Sequence, residues 1–300
     1  MNVAIVGVGR VGSALGFALV TRGLVDRLVL IDRDKKAIEG DACDLLHAAA
    51  FTNSAEVLAS DNPADAAGCD LIAITASVPG KGFSSRLDMA QANARLFDEI
   101  IPPIAKASPG AILLVVTNPV DVMTYHALRR SGFPPSRVLG TGTLIDTGRF
   151  RSLLAQVAQI HPNDLRAYIL GEHGDSQFPA LSLANAGGAP FECQGAVAAL
   201  AEQAKRGGDL VLQHKGHTNY AVALAAVMII EAIAVNSRTV LPVSTLISGF
   251  LGVEDVCLSV PCVIGRSGVL RTLPIELDEQ ETAAFCASAS VLKAVIRSIS

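Results

Sequence analysis

The sequence predicts an α/β protein in which a doubly wound parallel sheet is followed by a second, α+β unit. Over roughly the first 140 residues, short apolar runs alternate with helical patterns. Each run is apolar at every position rather than at every second one, as expected for strands covered by helices on both faces. From about residue 143 the alternation gives way to a mixture of helices and strands. We therefore predict a boundary there.

The predicted elements follow from these runs and from the helical periodicity between them. The parallel strands are predicted at 2–7, 27–32, 69–75, 111–117 and 136–140. In the second unit we predict helices at 146–158, 195–206, 218–236 and 278–298, a strand at 165–170 and short strands within 256–272. Ligands of such parallel sheets bind beyond the carboxyl ends of the strands, so functional residues are expected at that edge.

Composition argues against several classes of function. The formal net charge is -4, which gives no basic surface for nucleic acid or for anionic lipid. Mean hydropathy is high, at +0.43, but no run of about 18 apolar residues is present to span a membrane. The first residues lack the pattern of a signal peptide, and the six cysteines have no metal-binding or disulfide spacing. We expect a cytoplasmic protein with reduced thiols, no metal and a small-molecule partner.

A glycine-rich turn lies between the first predicted strand and the first helix. Gly7, Gly9 and Gly12 form a GxGxxG pattern, and Asp32 ends the next strand. In this context the glycines let the backbone approach a pyrophosphate, and the acidic residue accepts hydrogen bonds from a ribose, which favours NAD over NADP. Arg33, the next residue, weakens the preference for NAD slightly because its charge could pair with the 2′-phosphate of NADP. The alternatives are a tight turn without a ligand and a solvated carboxylate at Asp32.

A histidine and a neighbouring ion pair form the second candidate site. His173 follows a predicted strand within YILGEHGDSQFP, and Asp146 and Arg149 are three residues apart at the start of a predicted helix. A carboxylate that orients a histidine, together with a guanidinium that grips a carboxylate, suits acid/base chemistry on an anionic substrate. The alternative is an ordinary ion pair at a helix start, because spacing alone does not bring Asp146 to His173.

A third feature is the segment TASVPGKGFSSR at 75–86. It leaves a predicted buried strand through proline, glycine and serine, and it ends in Arg86 at the start of a long helix. Loops of this kind, which end in a fixed charge, often act as lids. We predict a lid over 79–85 that carries Arg86 to the site.

Taken together, these motifs resemble the L-lactate and malate dehydrogenase family. They are GVGRVG with Asp32, SRLDMAQAN, VVTNPVDVMTY, GTGTLIDTGRFR, GEHGDSQFP, KGHTNYAVA and PVSTLISGFLGVEDVCLSVPCVIGRSGV, in the family order and over nearly the whole chain. The resemblance implies an NAD-binding Rossmann domain at 1–142 and a catalytic domain at 143–300. It further implies interconversion of an L-2-hydroxy acid and its 2-oxo acid by a homodimer or homotetramer.

The resemblance also implies a role for each matching residue. His173 is the proton donor and acceptor, and Asp146 is its partner. Arg149 binds the substrate carboxylate, and Arg86 polarises the substrate carbonyl once the lid has closed. Asn118 bonds cofactor or substrate. The implied cofactor-binding residues are Gly7, Gly9, Val11, Gly12, Asp32, Thr75, Ala76 and Asn118.

The position that determines substrate specificity in this family corresponds to Gly80. By the resemblance, malate dehydrogenases have arginine there and lactate dehydrogenases usually have glutamine. A glycine here would leave the second carboxylate of a dicarboxylic acid unpaired, and it frees volume for a branched or aromatic side chain. In this respect the chain resembles the L-2-hydroxyisocaproate type of L-2-hydroxyacid dehydrogenase. Thr218 matches the lactate-type residue on the other wall. Malate remains an alternative because Lys81 is adjacent, and pyruvate remains another.

Three further features stay open at this level. Gly82 and Gly148 depart from the family pattern, and more glycine in the lid predicts a larger ordering cost on closure. Arg151 matches an anion-binding position of lactate dehydrogenases that fructose 1,6-bisphosphate activates, with Arg166 nearby. A non-catalytic NAD-binding sensor is the remote alternative, but it would require the loss of an active-site residue.

Overall fold

The computed structural model describes the chain except residues 53, 80–84, 191–193 and 300, and except the side chains of residues 194–196. The strands are β1 (Asn2–Val6), β2 (Arg27–Ile31), β3 (Glu56–Ser60), β4 (Leu71–Ile74), β5 (Ile112–Val115), β6 (Val138–Gly140), β7 (Leu165–Leu170), β8 (Phe178–Ala186), β9 (Ala189–Pro190), β10 (Thr239–Phe250), β11 (Val253–Gly265) and β12 (Gly268–Thr272). The helices are α1 (Arg10–Thr21), α2 (Lys35–Ala49), α3 (Arg86–Ala107), α4 (Val120–Ser131), α5 (Leu144–Ala158), α6 (Gln194–Lys215), α7 (Tyr220–Ala234) and α8 (Glu279–Ile299).

Nine of the described strands form one sheet in the order β12-β11-β10-β6-β5-β4-β1-β2-β3. The six neighbouring strands β6, β5, β4, β1, β2 and β3 are parallel. β10, β11 and β12 extend the sheet beyond β6 in antiparallel pairing. β4 and β5 are buried at every position, because helices cover both faces of the parallel part. The α/β prediction with a doubly wound parallel sheet is confirmed.

The largest difference from the sequence prediction concerns β10, which the sequence did not reveal. It joins the second half of the chain to the first sheet, through the pair Ser244 and Gly140. A Cβ at Gly140 would lie 3.0 Å from Val120 Cγ2 and 3.1 Å from Ser244 Cβ, so the missing side chain permits this close approach. Pairing between residues so distant in the chain leaves no local signal.

Two other differences have a simple physical reason. β3 was not predicted because it is an edge strand in which only Val57 and Ser60 are buried, so it lacks a continuous apolar run. The helices predicted at 195–206 and 218–236 are α6 and α7, and Thr218 lies in the link between them rather than in a helix. A smaller sheet, in the order β7-β8-β9, lies against β10 and β11 of the large one through β7, and α5 and α6 pack beside it.

One described helix, α8, is long and apolar enough by length and composition to cross a membrane. The same property is common in helices that pack on the core of a globular protein. Phe285, Ala289 and Leu292 of α8 are buried in the main core, and the helix packs against α3, α4, β8 and β11. Its apolar face is therefore occupied by the protein itself.

Candidate active site

His173, Asp146 and Arg149 meet at one point in the structure. His173 Nδ1 lies 2.5 Å from Asp146 Oδ2, and Arg149 Nη1 donates to Asp146 Oδ1 at 3.1 Å. The Asp146 side chain is 2% exposed, whereas the His173 side chain is 24% exposed. Because Nδ1–H donates to the carboxylate, the imidazole is oriented with Nε2 free for a substrate. The sequence could not establish that Asp146 reaches His173, and the tertiary structure does so.

The backbone of His173 is held by a second carboxylate. The His173 N–H donates to Asp121 Oδ2 at 2.7 Å. Asp121 lies in the first turn of α4 and is 2% exposed. Its Oδ1 has no hydrogen-bond partner among the described residues, and burial raises the pKa of Asp121 to about 6. Sequence reasoning missed this residue, although it lies three positions after Asn118.

The carboxylates control the proton affinity of the imidazole. Burial lowers the pKa of His173, but the Asp146 carboxylate outweighs this effect by its charge and its hydrogen bond, with a smaller contribution from Asp121. Arg149 opposes them. The net result is a pKa of His173 above the ordinary value of 6.5. The ring is therefore suited to hold a proton near neutral pH and to release it to a substrate oxygen.

Arg86 lies beside the loop that carries His173, where a Cβ at Gly174 would be 2.9 Å from its Nη1. Its Nη1 is 3.3 Å from Asp175 Oδ2, and the two side chains are 62% and 82% exposed. Ser85 caps α3 by accepting the Asp88 N–H at 3.1 Å, so Arg86 begins a well-defined helix. Residues 80–84, which include Gly80 and the rest of the predicted lid apart from Pro79 and Ser85, lie outside the described residues.

The glycine-rich turn connects the carboxyl end of β1 to α1. Gly7 has φ +97°, and a Cβ there would collide with Ala76. A Cβ at Gly12 would lie 2.9 Å from Thr75 Oγ1, whereas one at Gly9 would meet nothing within 4 Å. Gly7 and Gly12 are therefore required by packing. Gly9 leaves an open surface at a helix start that has neither a side-chain cap nor an acidic residue in its first turn, which suits a pyrophosphate.

The other predicted cofactor residues surround this turn. Asp32 accepts the Val8 N–H at 2.8 Å. The N–H groups of Thr75 and Ala76 both donate to Val6 O at 2.8 Å, which ties the end of β4 to the end of β1. Val11 is half-buried in α1 and packs against the core. These positions fit a dinucleotide laid across the carboxyl ends of the strands.

Asn118 follows β5 and is exposed at the same edge. It precedes a cis peptide bond to Pro119, and its carbonyl accepts a hydrogen bond from Asn93 Nδ2 at 2.7 Å. Asn93 is fully buried and also accepts the Val78 N–H at 2.8 Å. Asn93 therefore joins the segment before the predicted lid to the loop that presents Asn118.

A stretch of α6 that has no side chains faces Arg149. Gly207 and Gly208 are half-buried in the interior of α6, where glycine costs about 1 kcal/mol each relative to alanine. A Cβ at Gly207 would lie 3.3 Å from Arg149 Cδ, and one at Gly208 would lie 3.3 Å from Arg149 Nη1 and 3.4 Å from Nη2. Gly208 continues the face on which Ala201 and Ala204 are buried. Sequence reasoning missed this pair, which lies directly after the helix predicted at 195–206; the adjacent glycines were a signal.

Comparison with known proteins decides the family. Residues 1–140 match the model described as lactate/malate dehydrogenase, NAD binding domain, and residues 143–300 match the lactate/malate dehydrogenase, alpha/beta C-terminal domain. The chain belongs to the lactate/malate dehydrogenase family. It is an NAD-dependent dehydrogenase of the L-lactate type.

Several relatives of this family carry the same name. The L-lactate dehydrogenase of Gloeobacter violaceus is 41% identical over 99% of this chain and 92% of the relative. That of Synechococcus sp. is 40% identical over 100% of this chain and 99% of the relative. The crystal structure of the minor L-lactate dehydrogenase from Enterococcus mundtii matches with a TM-score of 0.95 at 34% identity, over 100% of this chain and 98% of that one.

This enzyme uses NAD and a small hydroxy or oxo acid. The sequence prediction of an L-lactate-type dehydrogenase with a Rossmann fold is thereby confirmed.

The two arginines considered for binding an activating anion have different surroundings. Arg151 donates through Nε to Ala167 O at 2.9 Å and stacks over the ring of Tyr168. Arg166 is exposed on β7.

Proposed function

We propose that this dehydrogenase interconverts an L-2-hydroxy acid and its 2-oxo acid at a site formed by His173, Asp146, Arg149, Arg86 and Asn118. The observation that carries the proposal is the joint placement of His173 and Arg149 on the buried Asp146 carboxylate. One carboxylate thereby positions both a proton donor and a carboxylate-binding fork. A non-catalytic sensor would have no need of this arrangement.

The chain's own residues perform binding, orientation and proton transfer. Arg149 binds the substrate carboxylate through two N–H groups, a geometry that lysine does not provide. His173 Nε2 then faces the carbonyl oxygen and donates its proton during reduction, while Asp146 stabilises the imidazolium. Gly9 and Asp32 would hold NAD, which would supply the hydride to substrate C2 in reduction or accept it in oxidation. In lactate oxidation His173 takes the proton back.

Arg86 has to leave Asp175 to take part. An exposed ion pair of this kind contributes little, about 0–1 kcal/mol, so closure of the lid need not overcome a strong interaction. Inside the closed site, with water removed, the guanidinium stabilises negative charge that develops on the substrate oxygen. This role of Arg86 is supported by the family resemblance and by its position beside the loop that carries His173.

We further propose that the site accepts branched or aromatic 2-oxo acids as well as pyruvate. The support is the surface of α6, where Gly207 and Gly208 present no side chain toward Arg149. A substrate held by Arg149 therefore meets no side chain from these two positions of α6. Thr218, half-buried after α6, is proposed to line the same space, and Gly80 to enlarge it from the lid. Malate dehydrogenase activity is the alternative if Lys81 supplies the second charge.

A substrate panel tests the function. Oxidation of NADH is measured with pyruvate, 2-oxoisocaproate, phenylpyruvate and oxaloacetate, each with and without fructose 1,6-bisphosphate. We expect turnover of the three monocarboxylates. Oxaloacetate favoured by more than tenfold would establish the malate alternative, and folded protein without turnover of any acid would establish the sensor.

The glycine pair on α6 gives a specificity prediction. We expect Gly208→Ala to lower kcat/KM for phenylpyruvate at least about tenfold more than for pyruvate, because one added methyl in a fitted pocket changes discrimination by about 10–200-fold. The matched control is Gly40→Ala in α2, where a Cβ meets nothing within 4 Å. An equal loss for all acids would mean that the glycines only seat Arg149.

The raised pKa of His173 gives a pH prediction. Reduction needs the protonated imidazole, so kcat/KM for pyruvate should hold at pH 6.5 and decline as pH rises through the raised pKa. Lactate oxidation needs the neutral ring and should increase over the same interval. Asp146→Asn should move both midpoints to lower pH, since it removes the charge that raises the pKa. A wild-type midpoint below 6.5 would contradict this assignment.

We propose a homodimer or homotetramer in the cytoplasm. Support comes from exposed apolar side chains on helices that pack side by side, α1 with α2 and α7. They are Phe17, Leu46, Tyr220, Leu224 and Met228. The described cysteines are free thiols, as in reducing compartments. Sedimentation should give a mass at least twice the 31.1 kDa of one chain.

A further inference from the structure

The loop that carries His173 is held by three different elements at three successive residues. The Gly171 N–H donates to Ser259 O of β11 at 3.2 Å. The Glu172 N–H donates to Ser288 Oγ of α8 at 2.7 Å, and the His173 N–H donates to Asp121 of α4. His173 is thus held through the backbone of its loop as well as through the bond between its ring and Asp146.

Ser288 also closes a ring of hydrogen bonds with the same loop. Ser176 Oγ donates to Glu172 Oε2, and Ser176 Oγ lies 2.9 Å from Ser288 Oγ. Because the Ser176 proton is used on the carboxylate, Ser288 must donate to Ser176. The order is then Glu172 N–H to Ser288, Ser288 to Ser176 and Ser176 to the Glu172 carboxylate, with each donor used once.

The space around Ser288 leaves little freedom. Ser288 is 0% exposed. Gly171 has φ +87°, and a Cβ there would lie 2.8 Å from Ser288 Oγ. The loop can therefore approach α8 closely only because residue 171 is glycine. A buried hydroxyl that satisfies both a backbone donor and a side-chain acceptor is costly to remove, since both partners would lose their bonds.

We propose that Ser288, in the last helix of the chain, is a positioning residue that fixes the catalytic loop and thereby aligns His173 with Asp146. This inference rests on the proposed role of His173 and goes beyond it. It makes turnover depend on the docking of α8, a helix with no residue among those assigned to substrate or cofactor. Small displacements of a catalytic group can lower turnover by as much as about 100-fold.

The test compares Ser288→Ala with Ser290→Ala. Ser290 is exposed two positions along the same helix, and its hydroxyl donates to Cys286 O within α8. We expect Ser288→Ala to lower kcat for pyruvate about 10–100-fold with unchanged NADH affinity by fluorescence, and Ser290→Ala to stay within twofold of wild type. Among the described residues, the charged groups that act most strongly on His173 are Asp146, Asp121 and Arg149, and its own loop carries Glu172 and Asp175, with Arg86 beside Asp175.

A pH profile separates positioning from general weakening of the fold. If His173 moves away from Asp146, its midpoint in pyruvate reduction should fall toward the ordinary value, whereas simple loss of stability leaves the midpoint in place. A kcat within twofold of wild type, or a lowered kcat with an unchanged midpoint, would overturn the proposal. Should Ser288→Ala fail to fold, Ser176→Ala breaks the same ring from the loop side. At least a fivefold loss of kcat would then support the proposal, and a smaller change would overturn it.

His173→Ala keeps the two proposals apart. If that variant retains turnover, the proposed function of His173 is wrong whatever Ser288 does. If it is inactive while Ser288→Ala has normal kcat, only the inference about Ser288 falls.

Discussion

Replacing His173 by alanine should lower kcat for pyruvate reduction about 1,000-fold while NADH binding stays normal. The imidazole is the group paired with the buried Asp146 at 2.5 Å, and general acid/base catalysis of this kind contributes about 10²–10⁴-fold. The glycine-rich turn at 7–12 connects β1 and α1, neither of which carries His173, so cofactor binding should not change. Steady-state kinetics and NADH fluorescence titration measure the two effects separately.

The matched control is His214→Ala. His214 is exposed near the end of α6, and its removal should leave kcat within twofold of wild type. Turnover of the His173 variant within tenfold of wild type, with a normal fold by circular dichroism, would remove His173 from the mechanism.

Arg149→Lys should raise KM for pyruvate by about 100-fold or more, with a smaller change in kcat. The side chain is 21% exposed and already bonded to Asp146. Lysine keeps the charge but loses the planar fork that binds a carboxylate with two parallel hydrogen bonds. Loss of a hydrogen-bonded partner to a charge in such a site costs about 2–5 kcal/mol. Initial rates over a wide pyruvate range give KM, and inhibition by oxamate reports carboxylate binding without turnover.

Arg206→Lys provides the control for this variant. Arg206 is 76% exposed and pairs with Glu202 one turn earlier in α6, so the same chemical change there should leave KM unaltered. An Arg149→Lys enzyme with wild-type KM and oxamate affinity would show that another group holds the substrate carboxylate.

The part of the fold that is local in sequence could be predicted. Apolar runs such as LIAI before Thr75 placed the parallel strands within a few residues, because a strand buried on both faces is apolar throughout. β10 was missed although its main partner, β11, follows it directly in the chain. What no short window contains is its pairing with β6, since Gly140 is about 100 residues away from Ser244.

In the candidate site, too, some features are local in the sequence and others depend on contacts between distant residues. The sequence by itself determined the chemistry present: a glycine turn followed by Asp32, a histidine between glycines, and Asp146 with Arg149 on one helical face. Only the tertiary structure decided which of these groups meet, and it added Asp121, Ser288 and the glycines of α6. The physical reason is that backbone N–H groups of the His173 loop must be satisfied once buried, and their partners come from α4, α8 and β11. Such partners lie far apart in the chain, so only folding brings them to one histidine.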